Sequence, residues 1–233
     1  MKIRVKFSKY GVLRFIGHLD VMRFFQKAIR RAGIDIAYSG GYSPHQIMTF
    51  ASPLGVGMCS MAEYMDIEVH SHQGGADMME RLQNTCPKGI DILNVRLLPD
   101  KAGNAMASVA AAKYAIAFKD KSRSFADCAG QLEKYLSQDE IMITKETKKS
   151  TQNINIRPGI YACSIEDGVL VFTVDASSAG NIRPSFVYET FMKFAAIEAK
   201  EIELQTIRLE TYTNIGTAEK PEFVPLDAVG EEF

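Results

Sequence analysis

Residues 17–33, GHLDVMRFFQKAIRRAG, have the periodicity of an amphipathic helix. At about 100° per residue, the apolar side chains fall within an arc of about 160°; they are Val21, Met22, Phe24, Phe25, Ala28, Ile29 and Ala32. Asp20 lies in the first turn, where it complements the helix dipole. Gly33 follows the last periodic residue, as a C-terminal cap does. The pattern predicts a helix that packs one side against a core.

The other side of this helix is cationic. It carries Arg23, Lys27, Arg30 and Arg31 within an arc of about 100°. Inside the helix, no acidic side chain lies three or four positions from Lys27, Arg30 or Arg31, so i,i+4 ion pairs do not neutralise them. Two interpretations remain: a solvated face, or a surface that binds an anion.

Composition places the chain among soluble globular proteins. Its 233 residues are 46% hydrophobic and 24% charged, which favours packed cores and excludes collagen-like and wholly disordered classes. The net charge of −1 hides an asymmetry. Residues 1–31 hold nine Lys or Arg against Asp20 alone, whereas residues 214–233 hold five acidic side chains and one lysine. Such a split accompanies an anionic partner, or a tail that shields the basic region.

The four cysteines are too dispersed for a legible metal site. Cys59, Cys86, Cys128 and Cys163 form no CxxC pair. The N-terminus alternates charged and apolar residues and lacks the apolar core of a secretory signal, so we expect a cytoplasmic protein with free thiols. Neither glycine loop, at residues 40–41 or 55–57, matches a nucleotide-binding fingerprint, and no cofactor is implied.

Outside the opening helix, the pattern indicates two similar halves. Strict alternation over residues 2–7 predicts a strand, and further strands are predicted at 34–39, 47–51, 63–69 and 90–98, with a helix at 76–86. This order is βαββαβ, the ferredoxin-like arrangement. A comparable order follows after residue 107. We therefore expect an α+β protein with two tandem ferredoxin-like (βαββαβ) domains and antiparallel sheets.

The predicted boundaries follow from the breaks in periodicity. Residues 1–98 form the first domain, residues 99–107 a linker rich in turn formers, and residues 108–213 the second domain. Residues 214–233 are expected to be a mobile acidic tail. One short echo, Asn-Ile-Arg-Pro at 155–158 and 181–184, falls at non-equivalent places and is not evidence of a repeat.

Two basic surfaces compete as an anion site. In a ferredoxin-like sheet the first strand lies beside the third, which places Lys2, Arg4 and Lys6 next to Asp66 and Glu68. Cross-strand ion pairs would then neutralise the strand cations in part. No acidic side chain is expected to neutralise the helix cations, so their positive potential remains available to an anionic partner. The helix is therefore the preferred anion surface.

The histidines offer weak catalytic candidates. His18 and His45 could act as an acid–base pair on a phosphodiester if the fold brings them together, although a structural role is the simpler interpretation. His70 and His72 alternate at the end of a strand, without the third ligand that a metal site needs, so no metal is expected.

Several short segments follow one another between residues 11 and 69. They are Leu13-Arg14-Phe15, His18-Leu19-Asp20, residues 28–33, Tyr38-Ser39, Tyr42, Pro44, residues 50–54 and Glu63-Tyr64-x-Asp66. In this order they resemble the radical-SAM-linked family of domains of unknown function. Lys148, Lys149 and residues 155–158 are more loosely similar to the family's basic loop and its Arg-Pro step.

The resemblance implies a biological context for the protein but no particular reaction. Family members form part of a radical SAM protein or are encoded near one, often close to ribonuclease G and ribosomal-protein genes, which implies an RNA-related role. This chain lacks the clustered cysteines of a radical SAM iron–sulfur site and is similar to the separate-chain form. The resemblance draws attention to His18, Asp20, Ser39, Tyr42 and Pro44, whose roles it leaves open.

We therefore expect a non-catalytic RNA-binding or adaptor protein that acts with a radical SAM enzyme, without DNA or membrane partners. Basic side chains would contact phosphates, and flat rings would stack on bases; the residues are Arg14, Arg23, Lys27, Arg30, Arg31, Tyr42 and His45. One alternative is a metal-independent endoribonuclease that uses His18 and His45. The other is a module that binds a small molecule or a carrier protein in a cleft between the halves.

Overall fold

The protein has a mixed α+β architecture with few helices and a large, mostly antiparallel sheet. The computed structural model describes residues 1–146 and 151–233, so Lys148 and Lys149 lie outside the described residues. No helix in these two ranges combines the length and the apolar content that a membrane crossing requires. The α+β class predicted from the sequence is confirmed.

The elements follow one another in a regular order. Up to residue 108 they are β1 (Lys2–Lys9), α1 (His18–Arg31), β2 (Met48–Phe50), β3 (Cys59–Glu68), α2 (Gly75–Gln83), β4 (Ile92–Leu97) and α3 (Ala105–Ser108). After it come β5 (Ala111–Phe118), α4 (Ala129–Leu136), β6 (Met142–Glu146), β7 (Thr151–Asn155), β8 (Ile160–Glu166), β9 (Val169–Asp175), α5 (Pro184–Phe194), β10 (Leu204–Asn214) and β11 (Phe223–Pro225).

The chain divides into two compact units. The first comprises Met1–Ala110 and Glu210–Phe233, and the second comprises Ala111–Leu209. The division after Ala110 falls close to the predicted linker, where part of the chain forms α3. The second unit ends within β10, and the residues that follow belong to the first unit.

The core of the first unit lies between the sheet and α1. Its strands have the order β4-β1-β3, with β2 also paired to β3. Ile3, Val5 and Phe7 are fully buried on one face of β1, as the alternation predicts. The Phe7 ring lies 4.6 Å from the ring of Phe25 in α1. The predicted amphipathic helix therefore exists and buries its apolar side.

The strand predicted at residues 34–39 does not form. Only isolated bridges occur there, between Ile36 and Val69 and between Tyr38 and Gln46. The segment makes single backbone hydrogen bonds, such as that from the Ala37 N–H to the Glu68 carbonyl at 2.7 Å. Beyond it, Gly41 takes a positive φ of 98° and Pro44 has no backbone N–H to donate, so the pairing does not extend into a ladder. Residues 39–46 consequently form a loop that protrudes from the unit.

The second unit contains a hairpin in addition to its sheet. The sheet order is β10-β5-β9-β8, with residues 204–209 of β10 in this unit. β6 and β7 pair with each other in a separate two-stranded sheet, inserted between α4 and β8. The core of the unit is aromatic and aliphatic, and Phe125, Phe172 and Phe191 are almost completely buried.

Residues 214–233 are held by the first unit, which differs from the expected mobile tail. β11 pairs with the end of β10, and Leu226 is fully buried. Arg4 of β1 donates a hydrogen bond from Nη1 to the Leu226 carbonyl at 2.8 Å. An acidic composition alone predicted a tail, but the apolar Leu226 and the basic side chains beneath it fix the segment.

A buried ion pair joins β1 to β3. Arg4 is 0% exposed and Asp66 4%. The guanidinium donates from Nε to Asp66 Oδ1 at 2.8 Å and from Nη2 to Oδ2 at 2.9 Å, a bidentate geometry. The two residues are directly opposite in the strand register. The pairing agrees with the cross-strand contact expected from sequence, but the face is covered and not open to solvent.

We predict that Asp66→Asn lowers the free energy of unfolding by about 3–5 kcal/mol, because it leaves the Arg4 charge buried without a counter-ion. The matched control is Asp77→Asn, which breaks the half-exposed Arg81–Asp77 pair of α2 and should cost less than about 1 kcal/mol. Urea unfolding followed by circular dichroism measures both. Equal losses in the two variants would contradict a special role for the buried pair.

Candidate functional site

The exposed side of α1 carries uncompensated positive charge. All four of its predicted cations are exposed: Arg23, Lys27, Arg30 and Arg31. Arg23 lies 3.9 Å from Asp20, but both side chains are more than 60% exposed, so the pair is weak and screened. Lys27 makes no hydrogen bond or ion pair with any residue in the described ranges. Arg31 donates to the Thr85 carbonyl, which carries no net charge.

The loop at residues 39–46 is closed by Ser39 and His45. The Ser39 hydroxyl lies 2.8 Å from His45 Nδ1 and accepts a hydrogen bond from the His45 backbone N–H at 3.1 Å. The Ser39 backbone N–H donates to the His45 carbonyl at 2.8 Å. Tyr42 at the tip of the loop is fully exposed. The loop is therefore closed at its base and presents an aromatic ring at its tip.

Gln46 attaches this loop to the cationic side of α1. Its side-chain Nε2 donates to the Gln26 carbonyl at 3.2 Å, and Arg30 Nε donates to the same oxygen at 3.2 Å. The loop and Arg30 of the helix therefore bind the same carbonyl oxygen. Gln46 is only 6% exposed. Sequence analysis missed Gln46, because nothing in its local pattern distinguishes it from an ordinary loop glutamine.

Two further segments of the family motif lie near the start of α1. The His18 ring packs edge-on against Phe50, with centroids 5.1 Å apart. The Gly57 backbone N–H donates to the Arg14 carbonyl at 2.8 Å, which places residues 55–57 against the turn that precedes α1. Val12, Phe15 and Val56 are each more than half exposed there. Val12 and Phe15 belong to this turn and Val56 to the segment bonded to it, and we call these three exposed side chains the apolar patch. Arg14 stacks on Phe15.

The structure does not join the two candidate catalytic histidines. In the described part of the chain, His18 contacts Phe50, His45 contacts Ser39, and no hydrogen bond or ring contact links the two. His72 packs edge-on against Phe233. Among residues 1–146 and 151–233, no three His, Cys, Asp or Glu side chains are grouped to hold a metal ion. The described histidines thus offer no assembled acid–base pair.

The motif residue Tyr64 belongs to a different, buried network. Its hydroxyl donates toward Glu210 Oε1 at 2.7 Å and Asp227 Oδ1 at 2.9 Å. Burial and these two negative charges raise the pKa of Tyr64 far above its ordinary value. Lys6 Nζ lies 2.6 Å from Glu210 Oε2, and Asn94 Nδ2 donates to Asp227 Oδ2 at 2.7 Å.

This network distinguishes Arg4 and Lys6 of β1 from the cations of α1. Arg4 and Lys6 of β1 are compensated by carboxylates within the first unit. The cations of α1 have no comparable partners in the described residues. The positive field of the helix cations therefore extends into solvent.

Three of the four cysteines have thiols whose pKa is raised. Burial raises the pKa of the Cys86 thiol to about 11 and that of the Cys163 thiol to about 12. Burial also raises the pKa of Cys128. These three thiols therefore stay protonated at neutral pH, in the form that does not attack electrophiles.

Fold and site together define an α+β protein with a cationic helix face beside an exposed aromatic loop. Residues 2–184 match the family described as "Uncharacterized protein conserved in bacteria (DUF2344)". The match covers most of the chain, and the protein belongs to this family. A comparison with curated proteins found no significant match.

Proposed function

We propose that this protein binds single-stranded RNA through the cationic side of α1 and the loop at residues 39–46. The observation that carries the proposal is the shared Gln26 carbonyl, which holds Arg30 and the loop residue Gln46 together. This contact joins the loop that carries the exposed Tyr42 to the side of α1 that carries the exposed cations. Cations that meet phosphates and rings that stack on bases are the usual means of binding single strands.

The dimensions of the surface favour a short RNA segment. From Arg23 to Arg31 the helix rises about 12 Å at 1.5 Å per residue, so the cations span only a few nucleotides. Tyr42 has an unobstructed ring that a splayed base can cover. Nothing in this arrangement reads a base edge, so we propose contact that tolerates different sequences. Arg14 and His45 would add contacts at the two ends of the surface.

Charge reversal on α1 tests the proposal. We expect Arg23→Glu with Lys27→Glu and Arg30→Glu to leave the fold intact, because all three side chains are exposed. Binding to single-stranded RNA should be lost. In the unchanged protein, four phosphate contacts should give a slope of log affinity against log salt of about −3, at about −0.7 per contact. Fluorescence anisotropy with a labelled oligonucleotide measures both quantities.

The matched control reverses three exposed lysines of the second unit, with the same change in net charge: Lys121, Lys134 and Lys193. It should keep most of the affinity and the salt slope. An equal loss in the control would show that net charge alone drives binding. Cleavage of RNA in the presence of a chelator, abolished by His18→Ala or His45→Ala, would instead favour the endoribonuclease alternative.

Tyr42→Ala should weaken RNA binding by about 1–3 kcal/mol without changing the salt slope, because it removes a stacking ring and no charge. Tyr161 of β8 is also exposed, at 42%, and Tyr161→Ala is the control. Oligonucleotide titrations at two salt concentrations separate stacking from charge. If Tyr42→Ala flattens the slope or leaves the affinity unchanged, the loop does not contact bases.

We also propose that each unit is a ferredoxin-like domain. The sheet order β4-β1-β3, with β2 on β3, supports this for the first unit. The order β10-β5-β9-β8 supports it for the second, with the β6–β7 hairpin as an insertion. In each unit one helix follows the first strand and another precedes the last.

The adaptor role is proposed from the family resemblance and from the apolar patch of Val12, Phe15 and Val56. Exposed apolar side chains that are clustered beside charged ones are typical of protein contact surfaces. We propose that a radical SAM protein docks there in the cytoplasm, while α1 holds the RNA. The family resemblance suggests the radical SAM protein as the partner, and the apolar patch is the surface to which we propose it binds.

Phe15→Ser should abolish co-purification of a radical SAM protein with the tagged chain from its native host, because it removes the largest apolar ring of the patch. Ile202→Ser, which changes a 76% exposed side chain of the second unit, is the control. Mass spectrometry of the purified material identifies the partner. Absence of any radical SAM protein from the unchanged chain's complex would contradict this part of the proposal.

A further inference from the structure

The second unit contains a cavity of about 350 Å³ that the proposed RNA surface does not use. One wall is a face of the β6–β7 hairpin. Ile143 pairs with Ile154, and Lys145 pairs with Gln152, so all four side chains lie on the same face of the two strands. All four line the cavity. The inserted hairpin therefore builds a site on this unit.

The apolar floor comes from two copies of one short sequence. Asn-Ile-Arg-Pro occurs at 155–158 and at 181–184, and both asparagines and both isoleucines line the cavity. Ile156 is 2% exposed and Ile182 8%, and Phe186 of α5 extends the floor. The echo has no value as evidence of a duplicated domain. Its two copies meet at this cavity.

The polar side chains around the cavity are one cation, Lys145, one carboxylate, Asp175, and the amides of Gln152, Asn155 and Asn181. Asn155 Oδ1 accepts hydrogen bonds from the backbone N–H groups of Ile141 and Arg157, both at 3.0 Å, which leaves the Asn155 amide NH₂ to face a ligand. Lys145 Nζ makes no hydrogen bond or ion pair with the described residues. Asp175 is already engaged, since its Oδ1 accepts from the Ser177 backbone N–H at 2.8 Å.

We propose that this cavity binds a small amphipathic anion, a monocarboxylate with an aliphatic or aromatic body. The carboxylate accepts hydrogen bonds from Lys145 Nζ and Asn155 Nδ2, and the body packs on Ile143, Ile154, Ile156, Ile182 and Phe186. The volume is in the range of known small-molecule pockets. Burial of the body supplies most of the affinity, and the lysine selects the charged head.

The proposal predicts a preference that calorimetry can measure on the full chain. Octanoate, below its micelle concentration, should bind with one site per chain, and 1-octanol should bind at least about ten-fold more weakly because it lacks the charge that Lys145 pairs. Among hexanoate, heptanoate and octanoate, each added methylene should tighten binding about four-fold, the value for burial of one CH₂.

Two variants locate the site. Lys145→Gln should weaken octanoate binding about ten-fold or more and leave 1-octanol unchanged, whereas the control Lys134→Gln on α4 should match the unchanged protein. Ile154→Thr keeps a β-branched residue in the strand and should reduce the gain per methylene. Thermal unfolding confirms that each variant is folded.

Three results of these measurements would contradict the proposed binding of a monocarboxylate. The proposal fails if octanoate and 1-octanol bind equally, if none of the acids binds, or if Lys145→Gln and Ile154→Thr bind like the unchanged protein. None of these results bears on RNA binding, because the cavity and the cations of α1 lie in different units.

Discussion

The first unit depends on the guanidinium of Arg4. A fully buried positive charge is tolerated only when its donors are satisfied and a counter-charge is close. Asp66 supplies the counter-charge from β3, and the Leu226 carbonyl supplies a further acceptor from the C-terminal segment. Nη2 also reaches the Gly103 carbonyl at 3.4 Å. One side chain thus ties together three parts of the chain that are far apart in sequence.

The need to neutralise a buried charge also explains why some cations of the basic N-terminal region are paired and others are exposed. Arg4 and Lys6 of β1 lie on the covered face of the sheet, where Asp66 and Glu210 neutralise them. Arg96 of β4 pairs with Glu232 at 2.8 Å, so the acidic residues of the C-terminal segment also serve this face. Cations on α1 point away from the core, since the apolar side of that helix occupies it. The helix cations therefore remain exposed.

The sequence predictions that were confirmed are those that rest on local periodicity. The alternation of β1 and the 3.6-residue period of α1 each extend over several residues and depend only on which face is buried, so both were predictable. The same 3.6-residue period predicts that the side of α1 opposite its apolar residues is exposed, and this side carries Arg23, Lys27, Arg30 and Arg31.

Features that rest on distant partners could not be predicted. Gln46 finds its acceptor twenty positions away, and Tyr64 finds Asp227 at a separation of 163. The C-terminal segment has an acidic composition that is typical of a tail, and Leu226 alone does not signal a buried anchor. The cavity of the second unit forms because two loops and a hairpin meet, which no single window of sequence contains.

The order of the units along the chain has a consequence for synthesis on the ribosome. The second unit is one uninterrupted segment, Ala111–Leu209, whereas the first needs Glu210–Phe233 as well as Met1–Ala110. Chains emerge from the N-terminus, and domains generally fold as units during translation. The segment translated second can therefore finish first, while Arg4 still lacks its acceptor at Leu226. Until residues 210–233 leave the exit tunnel, the part of the first unit made earlier has a charged sheet face uncovered and accessible to chaperones.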